Sequence, residues 1–308
     1  MWEAVWKREE CGDSMEERQI AMEEGNFCYR IDERKAELSG YEGHGIRIVV
    51  PSQIEGYPVL HITRKAFLNK KDLYSVALPE SIEEIGDWAF ANCVGLMEIS
   101  LPKREVRFGR AVFKNCGNLK RIVIRECNQE PELLAAAVTL LDAYYLLDLP
   151  AAGSADWLGK WDNKLSAVLR TSDQEGYISQ SVYGEEDYIG TDLEEYISER
   201  RKEKVRLAFL RLLHPRELAL VLKEELEALL RGFTRGSGGG ETWQVLLGEY
   251  GGDREYYRLF AELSCINEEN FDGILGDIGE DYPEMKAFFL KYWEEQHSAE
   301  DFFQGLVL

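Results

Sequence analysis

Apolar residues recur along this chain at two distinct periods. Between positions 62 and 124 they return every 23 residues. Phe67, Phe90 and Phe113 share one such position, and Leu73, Leu96 and Leu119 a second. Val76, Ile99 and Ile122 form a third, and Leu78, Leu101 and Ile124 a fourth. Polar residues keep the same register at Asn69, Asn92 and Asn115. A fixed period of this length predicts a solenoid, in which each repeat buries its apolar face only against its neighbours. Within each repeat the phrase Leu-x-x-Ile-x-Leu ends in the alternation of a strand. Its apolar members should point into the stack. Tyr74, Ser75, Ala77, Met97, Glu98, Ser100, Lys120, Arg121 and Val123 are then left on a solvent-facing, concave strand surface.

Outside the repeats the pattern differs on each side. Residues 26–61 read as a hairpin and a capping strand, with Ile46, Ile48 and Val50 alternating at period two. Residues 1–25 read as an N-terminal helix or arm, helical around Met15 to Glu23 and stopped by Gly25. From Pro131, well suited to a first helical position, the apolar period becomes helical. Helices are predicted over about 131–147, 155–170, 192–213, 216–231, 241–250, 253–264, 268–278 and 283–295. They are divided by Gly153-Ser154, by the stretch 176–190, by Pro215, by a flexible connector at Gly236 to Gly240, and by Gly251-Gly252. The expected fold class is α+β multidomain. A short leucine-rich-repeat solenoid (26–128) is followed by an acidic all-α domain of helical hairpins (129–308).

The residues in register also resemble a known family. Leu73-Tyr-Ser-Val76-Ala-Leu78-Pro79, then Ile85 to Phe90, then Asn92-Cys93-Val-Gly-Leu96 is similar to the BspA-like (treponemal-type) leucine-rich repeat. Phe27-Cys-Tyr29, Gly40-Tyr41-Glu-Gly43, Ile48 to Pro51 and Gly56-Tyr57-Pro58-Val59 resemble the opening hairpin and turn of such arrays. The likeness covers roughly residues 26–128. It implies a bacterial or protist interaction and adhesion protein, often exported, that binds rather than catalyses. The chain departs from the pattern in three ways. Only three full repeats are legible. Glu105 stands where Val59 and Ile82 place an apolar residue, with Val106 shifted to compensate. Arg125 replaces a proline. The segment from Ile266 to Phe288 is weakly similar in spacing to an ankyrin-type helical hairpin, without that repeat's Thr-Pro-Leu-His signature.

Charge sharpens this division. The chain of 308 residues carries 36 basic and 57 acidic side chains, net −21. Residues 26–128 hold 16 basic and 13 acidic residues, net +3, and residues 129–308 are net −19. So acidic a C-terminal part repels a phosphate backbone, which argues against a nucleic-acid ligand. The third repeat is basic, with Lys103, Arg104, Arg107, Arg110, Lys114, Lys120, Arg121 and Arg125. It reads either as a docking patch for an acidic partner or as a surface for the acidic helical domain. The first ten residues lack a signal-peptide core, and no uncharged apolar run of membrane-spanning length occurs. The expected compartment is therefore the cytoplasm, with the cell surface by a non-standard route as the alternative.

Candidate chemistry is sparse. Six cysteines form no Cys-x-x-Cys pair, and Cys93 and Cys116 are repeat equivalents expected to stack as small buried groups. No metal and no cofactor is expected. His44, His61, His214 and His297 sit in no catalytic spacing. The acidic runs at 184–188 and 276–281 lack the alternation of a calcium loop and read as a solvated loop and a helix junction. The sequence thus points to a non-enzymatic protein-interaction module with a protein partner. Contact is expected at Tyr74, Met97, Glu98, Lys120 and Arg121. One alternative is an acidic inhibitor or decoy that holds a basic protein through the helical domain. A less favoured one is an enzyme with its site there. Oligomeric state stays open.

Overall fold

The computed structural model describes residues 17–22, 25–125, 130–177, 192–236 and 238–304. The chain divides into two compact units, Met1–Ala152 and Gly153–Leu308.

The first unit is a β-solenoid of about four turns built on two ladders. One sheet runs β1 (Arg18–Met22), β2 (Gly25–Asp32), β3 (Lys35–Glu42), β6 (Tyr57–Ile62), β8 (Glu84–Ile85), β10 (Arg107–Phe108), with β5 (Gln53–Ile54) paired to β6. The other runs β11 (Arg121–Ile124), β9 (Glu98–Leu101), β7 (Ser75–Ala77), β4 (Arg47–Val49) and is parallel throughout. The first turn is β3 and β4, in the segment read from sequence as a hairpin and cap.

The repeated positions meet as the spacing predicts. Phe67, Phe90 and Phe113 are buried and stacked, with ring centroids 4.9 and 5.8 Å apart and Tyr41 6.0 Å beyond Phe67. Asn92 Nδ2 donates to Asn69 Oδ1, and Asn115 Nδ2 to Asn92 Oδ1, both at 2.8 Å. All three asparagines have φ between 59° and 62°, a left-handed turn that their short amides tolerate. Gly86 and Gly109 let the coils close up. A Cβ on either would lie 2.6 Å from the Arg64 nitrogen or 2.4 Å from the Asp87 nitrogen of the preceding coil. Val106 is buried and Glu105 exposed, so the apolar position does shift by one in the third repeat.

Cys93 and Cys116 donate their thiols to the carbonyls of Phe67 and Phe90, each at 3.1 Å. Burial pushes these thiols up to about 12 and about 11, and Cys265 in the second unit likewise to about 11. Thiolate, the reactive form, is then scarce at neutral or mildly alkaline pH. Maleimide labelling of the native protein, mapped by mass spectrometry, is expected to spare all three until denaturant is added. Labelling of Cys93 at the rate of a free thiol would show that the coils open readily.

The last turn is closed by α1 (Pro131–Thr139), which buries Leu133 to Val138, and by a short 3-10 turn at Tyr144–Leu146. Phe67 and Phe90 donate their N–H groups to Ala89 and Val112 of the following coil. Among the described residues no further coil follows Phe113, and there the main chain hydrogen-bonds Tyr144 instead. Burial pushes the Tyr144 phenol up to about 12. A main-chain group of the last described turn is thus met by a hydroxyl.

Three expectations need correction. The segment around Met15 to Glu23, read as helical, contains strand β1, paired antiparallel to β2 from Arg18↔Tyr29 to Met22↔Gly25. Its residues are mostly exposed, as on an edge strand, and pairing with β2 overrides helix propensity. The helix expected over 131–147 stops at Thr139 and resumes only as the 3-10 turn. The α1 segment, placed at the start of the helical domain by sequence, groups with the repeats because it covers their last coil.

The second unit contains α2 (Ala155–Arg170), α3 (Leu193–Leu213), α4 (Leu220–Gly232), α5 (Gly240–Tyr250), α6 (Arg254–Glu262), α7 (Phe271–Ile278) and α8 (Pro283–Gln304). Ser154 caps α2 by accepting from the Trp157 N–H, and Asp253 caps α6 by accepting from Glu255. Trp157, Trp161, Phe209, Trp243, Tyr257, Phe260 and Phe289 form the buried aromatic core. Trp243 meets Tyr257 edge-on at 6.0 Å and donates its indole N–H to Asp277 at 2.9 Å. That bond ties down part of the acidic run 276–281. The run 184–188 lies outside the described residues. The connector between α4 and α5 turns tightly: Gly240 has φ 58°, and a Cβ there would sit 2.2 Å from the Phe233 carbonyl.

Two buried cations organise this unit. Arg211 is fully buried and forked onto Asp162, Nε to Oδ1 at 2.6 Å and Nη2 to Oδ2 at 3.0 Å. Lys204 donates to the Thr171 carbonyl at 2.6 Å and to Asp173 at 2.7 Å. Burial works to raise the Asp173 carboxyl, but Lys204 and Arg201 outweigh it and hold it below the usual range.

Candidate interaction surface

The solvent face of the β4-β7-β9-β11 sheet is a grid with three rows. Register aligns Arg47, Ser75, Glu98 and Arg121 in one row. Val49, Ala77, Ser100 and Val123 form the next. Just before the strands, Tyr74, Met97 and Lys120 follow one another, each donating its N–H to a carbonyl of the coil before. The acceptors are Ile46 at 2.7 Å, Tyr74 at 2.8 Å and Met97 at 2.9 Å. Ile48, Val76, Ile99 and Ile122 point the other way and are buried. The alternation of a strand puts these side chains on opposite faces, and the hydrogen-bonded ladder fixes their spacing.

All five residues singled out from sequence fall on this grid. Tyr74 is 42% exposed, and the Arg47 guanidinium lies 4.8 Å from its ring centroid. Met97 is half-buried beside it, and Lys120 is exposed. Glu98 and Arg121 pair with each other at 3.1 Å, and Arg121 also reaches Glu132 at the start of α1, at 3.1 Å. Arg121 therefore has a structural duty at the cap besides its place on the face.

The basic third repeat takes a course that sequence reasoning did not weigh. Much of its charge is answered by the acidic second repeat. Arg104 pairs with Glu83 at 3.2 Å, Arg107 with Glu84 at 2.9 Å, Arg110 with Asp87 at 3.4 Å and Arg125 with Glu80 at 3.8 Å. These pairs are exposed, so each is worth about 0–1 kcal/mol. They nonetheless offset about half of the patch expected to dock an acidic partner.

Sequence reasoning missed the first coil's share of the face. Ile46, read as a strand's apolar position, is 57% exposed, and Val49 is 58% exposed. With Tyr74 they make an apolar corner at one end of the grid. The available signal for Val49 was Ile48, whose burial forces Arg47 and Val49 outward.

Among the described residues no three His, Cys, Asp or Glu side chains gather as metal ligands. His61 meets Glu37 at 3.0 Å, and Lys35 shares that carboxylate at 3.4 Å. This is a surface pairing on the opposite sheet. No helix among the described residues is long and apolar enough to cross a membrane.

Comparison with known proteins accords with the fold. Residues 51–132 match the BspA type leucine-rich repeat region in six copies. That is about a quarter of the chain, and twice the number of full repeats legible from spacing. Among solved structures, the leucine-rich repeat protein of T. pallidum is 35% identical over 33% of this chain and 49% of its own, with a TM-score of 0.31. A leucine-rich cell surface protein of Faecalibacterium prausnitzii is 27% identical over 35% of this chain and 31% of its own, at 0.31. A leucine-rich repeat protein of Bacteroides capillosus is 26% identical over 33% of this chain and 79% of its own, also at 0.31. The chain thus spans less than half of the first two relatives. No curated protein matches it.

Proposed function

We propose that this chain is a non-enzymatic protein-interaction module that holds a partner protein on the exposed grid of its four-stranded parallel sheet. The observation that carries this reading is the grid itself. Side chains of different chemistry are held in register on a ladder whose other face is fully buried. Repeat proteins of this type are typically protein-interaction modules, and a rigid array loses little side-chain and loop freedom on binding. Tyr74 and Met97 supply apolar contact area, the Tyr74 hydroxyl a polar handle, and Lys120, Glu98 and Arg121 the charge pattern.

A second reading draws on the helical unit. Its buried cations Arg211 and Lys204 are consumed in internal pairs with Asp162 and Asp173. The surface of that unit is left strongly acidic and suited to a basic protein.

One experiment separates the two. Affinity capture from a lysate of the source organism is compared for the intact chain and for Met97→Glu/Lys120→Glu, at low and moderate salt. Arg121 is left in place to spare the cap. Proteins retained by the intact chain and lost by the double variant support the sheet face. Proteins retained equally by both and released by salt support the acidic helical unit and overturn the first reading.

A further inference from the structure

Strand β4 ends its sheet, and no described strand pairs on its outer side. In a parallel ladder, alternate residues turn both backbone groups to the same neighbour. The Ile46 carbonyl accepts from Ser75 at 3.1 Å and Val50 donates to Ala77 at 2.9 Å, so the even positions face β7. The N–H and C=O groups of Arg47 and Val49 therefore face outward, away from any described strand. Such an edge accepts another strand unless it is shielded. Val49 itself is neither charged nor a proline, although Arg47 shares its edge and Pro51 follows. Three of the exposed large apolar side chains in the solenoid, Ile46, Val49 and Tyr74, gather at this end.

The side chains indicate what such a strand carries. Elsewhere in the solenoid, a basic residue on one coil pairs in register with an acidic residue on the coil before it. Arg121 sits opposite Glu98 and Arg107 opposite Glu84. Arg47 occupies the same row as Arg121, but among the described residues no coil precedes it on this sheet. Among the described residues it has no carboxylate partner, and it rests on the Tyr74 ring. We infer that the β4 edge is a strand-addition site for an extended segment of a partner protein. That segment carries a carboxylate opposite Arg47 and, two residues along, a branched apolar side chain against Val49. It continues the sheet as a further coil would. Backbone bonds supply affinity, and the alternating side chains supply selection. The inference rests on the sheet-face reading above and names the class of partner segment for one end of it.

The probe is the peptide acetyl-Thr-Val-Thr-Glu-Thr-Val-Thr-amide, which presents the same pattern in either direction, with a lysine analogue as control. Amide hydrogen exchange of the full chain is followed by NMR or mass spectrometry. In the free protein, Arg47 and Val49 should exchange faster than Ile48 and Val50. Millimolar peptide should slow Arg47 and Val49 about tenfold and leave the β11 amides unchanged. The lysine analogue should bind about threefold more weakly, and Arg47→Glu should reverse that preference. Val49→Pro removes one outward donor without touching the bonds to β7, and should weaken the peptide about five- to tenfold. Three results would overturn the proposal. They are no protection at any peptide concentration reached, equal protection in Val49→Pro, or protection that grows with protein concentration alone, which would assign the edge to a second copy. None of these touches the capture comparison at Met97 and Lys120, so the two readings fail separately.

Discussion

Phe90→Ala is expected to cost the solenoid about 3–5 kcal/mol, the usual range for truncating a fully buried aromatic ring. Phe90 is fully buried, with Phe67 stacked at 4.9 Å on one side and Phe113 at 5.8 Å on the other. Its N–H and C=O groups are bonded to Val112 and to the Cys116 thiol, so its backbone is pinned by the next coil. That pinning keeps the coils from collapsing into the vacated space. The loss should therefore combine the transfer term with most of a cavity term, rather than relax away. Hydrogen exchange in the repeat amides reads the result, since calorimetry of a chain with two units can mix transitions. Phe90→Leu should recover much of the loss. A cost below about 1 kcal/mol for Phe90→Ala would mean that the rings are not a continuous core and that each coil is held mainly by its own turn.

Asp162→Ala is expected to have a comparable effect in the helical unit, about 3 kcal/mol. Breaking a buried pair leaves the remaining charge without compensation, which typically costs 3–5 kcal/mol. Arg211 retains two further acceptors, the carbonyls of His214 and Arg216, which places the estimate at the low end. Those carbonyls lie just past the end of α3, so Arg211 also ties down the turn that follows the helix. Arg211→Met should not be neutral, although methionine is apolar and long, because it orphans both carbonyls. The pair is tested by comparing Asp162→Ala, Asp162→Asn and Arg211→Met in denaturant titrations that follow the buried Trp157 and Trp161. If Asp162→Ala costs less than Asp162→Asn, water reaches Arg211 and the site is not sealed.

How far the sequence foretold this molecule depends on where each interaction is written. The stacked phenylalanines were legible because a solenoid places equal residues of successive repeats in contact. Helix starts at Pro131 and in the second unit were legible because helix boundaries are local. The strand at Arg18–Met22 was not, since its state depends on the open edge of β2, a tertiary fact. The pair Arg211–Asp162 spans 49 positions with no period to connect them. The charge ladder was legible in principle: adding one repeat length to Glu84, Asp87 and Glu98 lands on Arg107, Arg110 and Arg121. Tyr74, Met97, Glu98, Lys120 and Arg121 fell on one grid because the repeat register predicts rows. Ile46, Arg47 and Val49 were missed because the first coil lacks the leucine phrase that marks the others.

That charge ladder also limits how such an array can lengthen. A tandem duplication of the third repeat would stack it on its own copy. Arg107 would then face a second Arg107, and Arg110 a second Arg110, in positions now filled by Glu84 and Asp87. Like charges at such range repel. A duplication of the second and third repeats together would instead alternate acidic and basic coils. The coils of this solenoid are thus not interchangeable modules, and growth in pairs is the route its electrostatics favour.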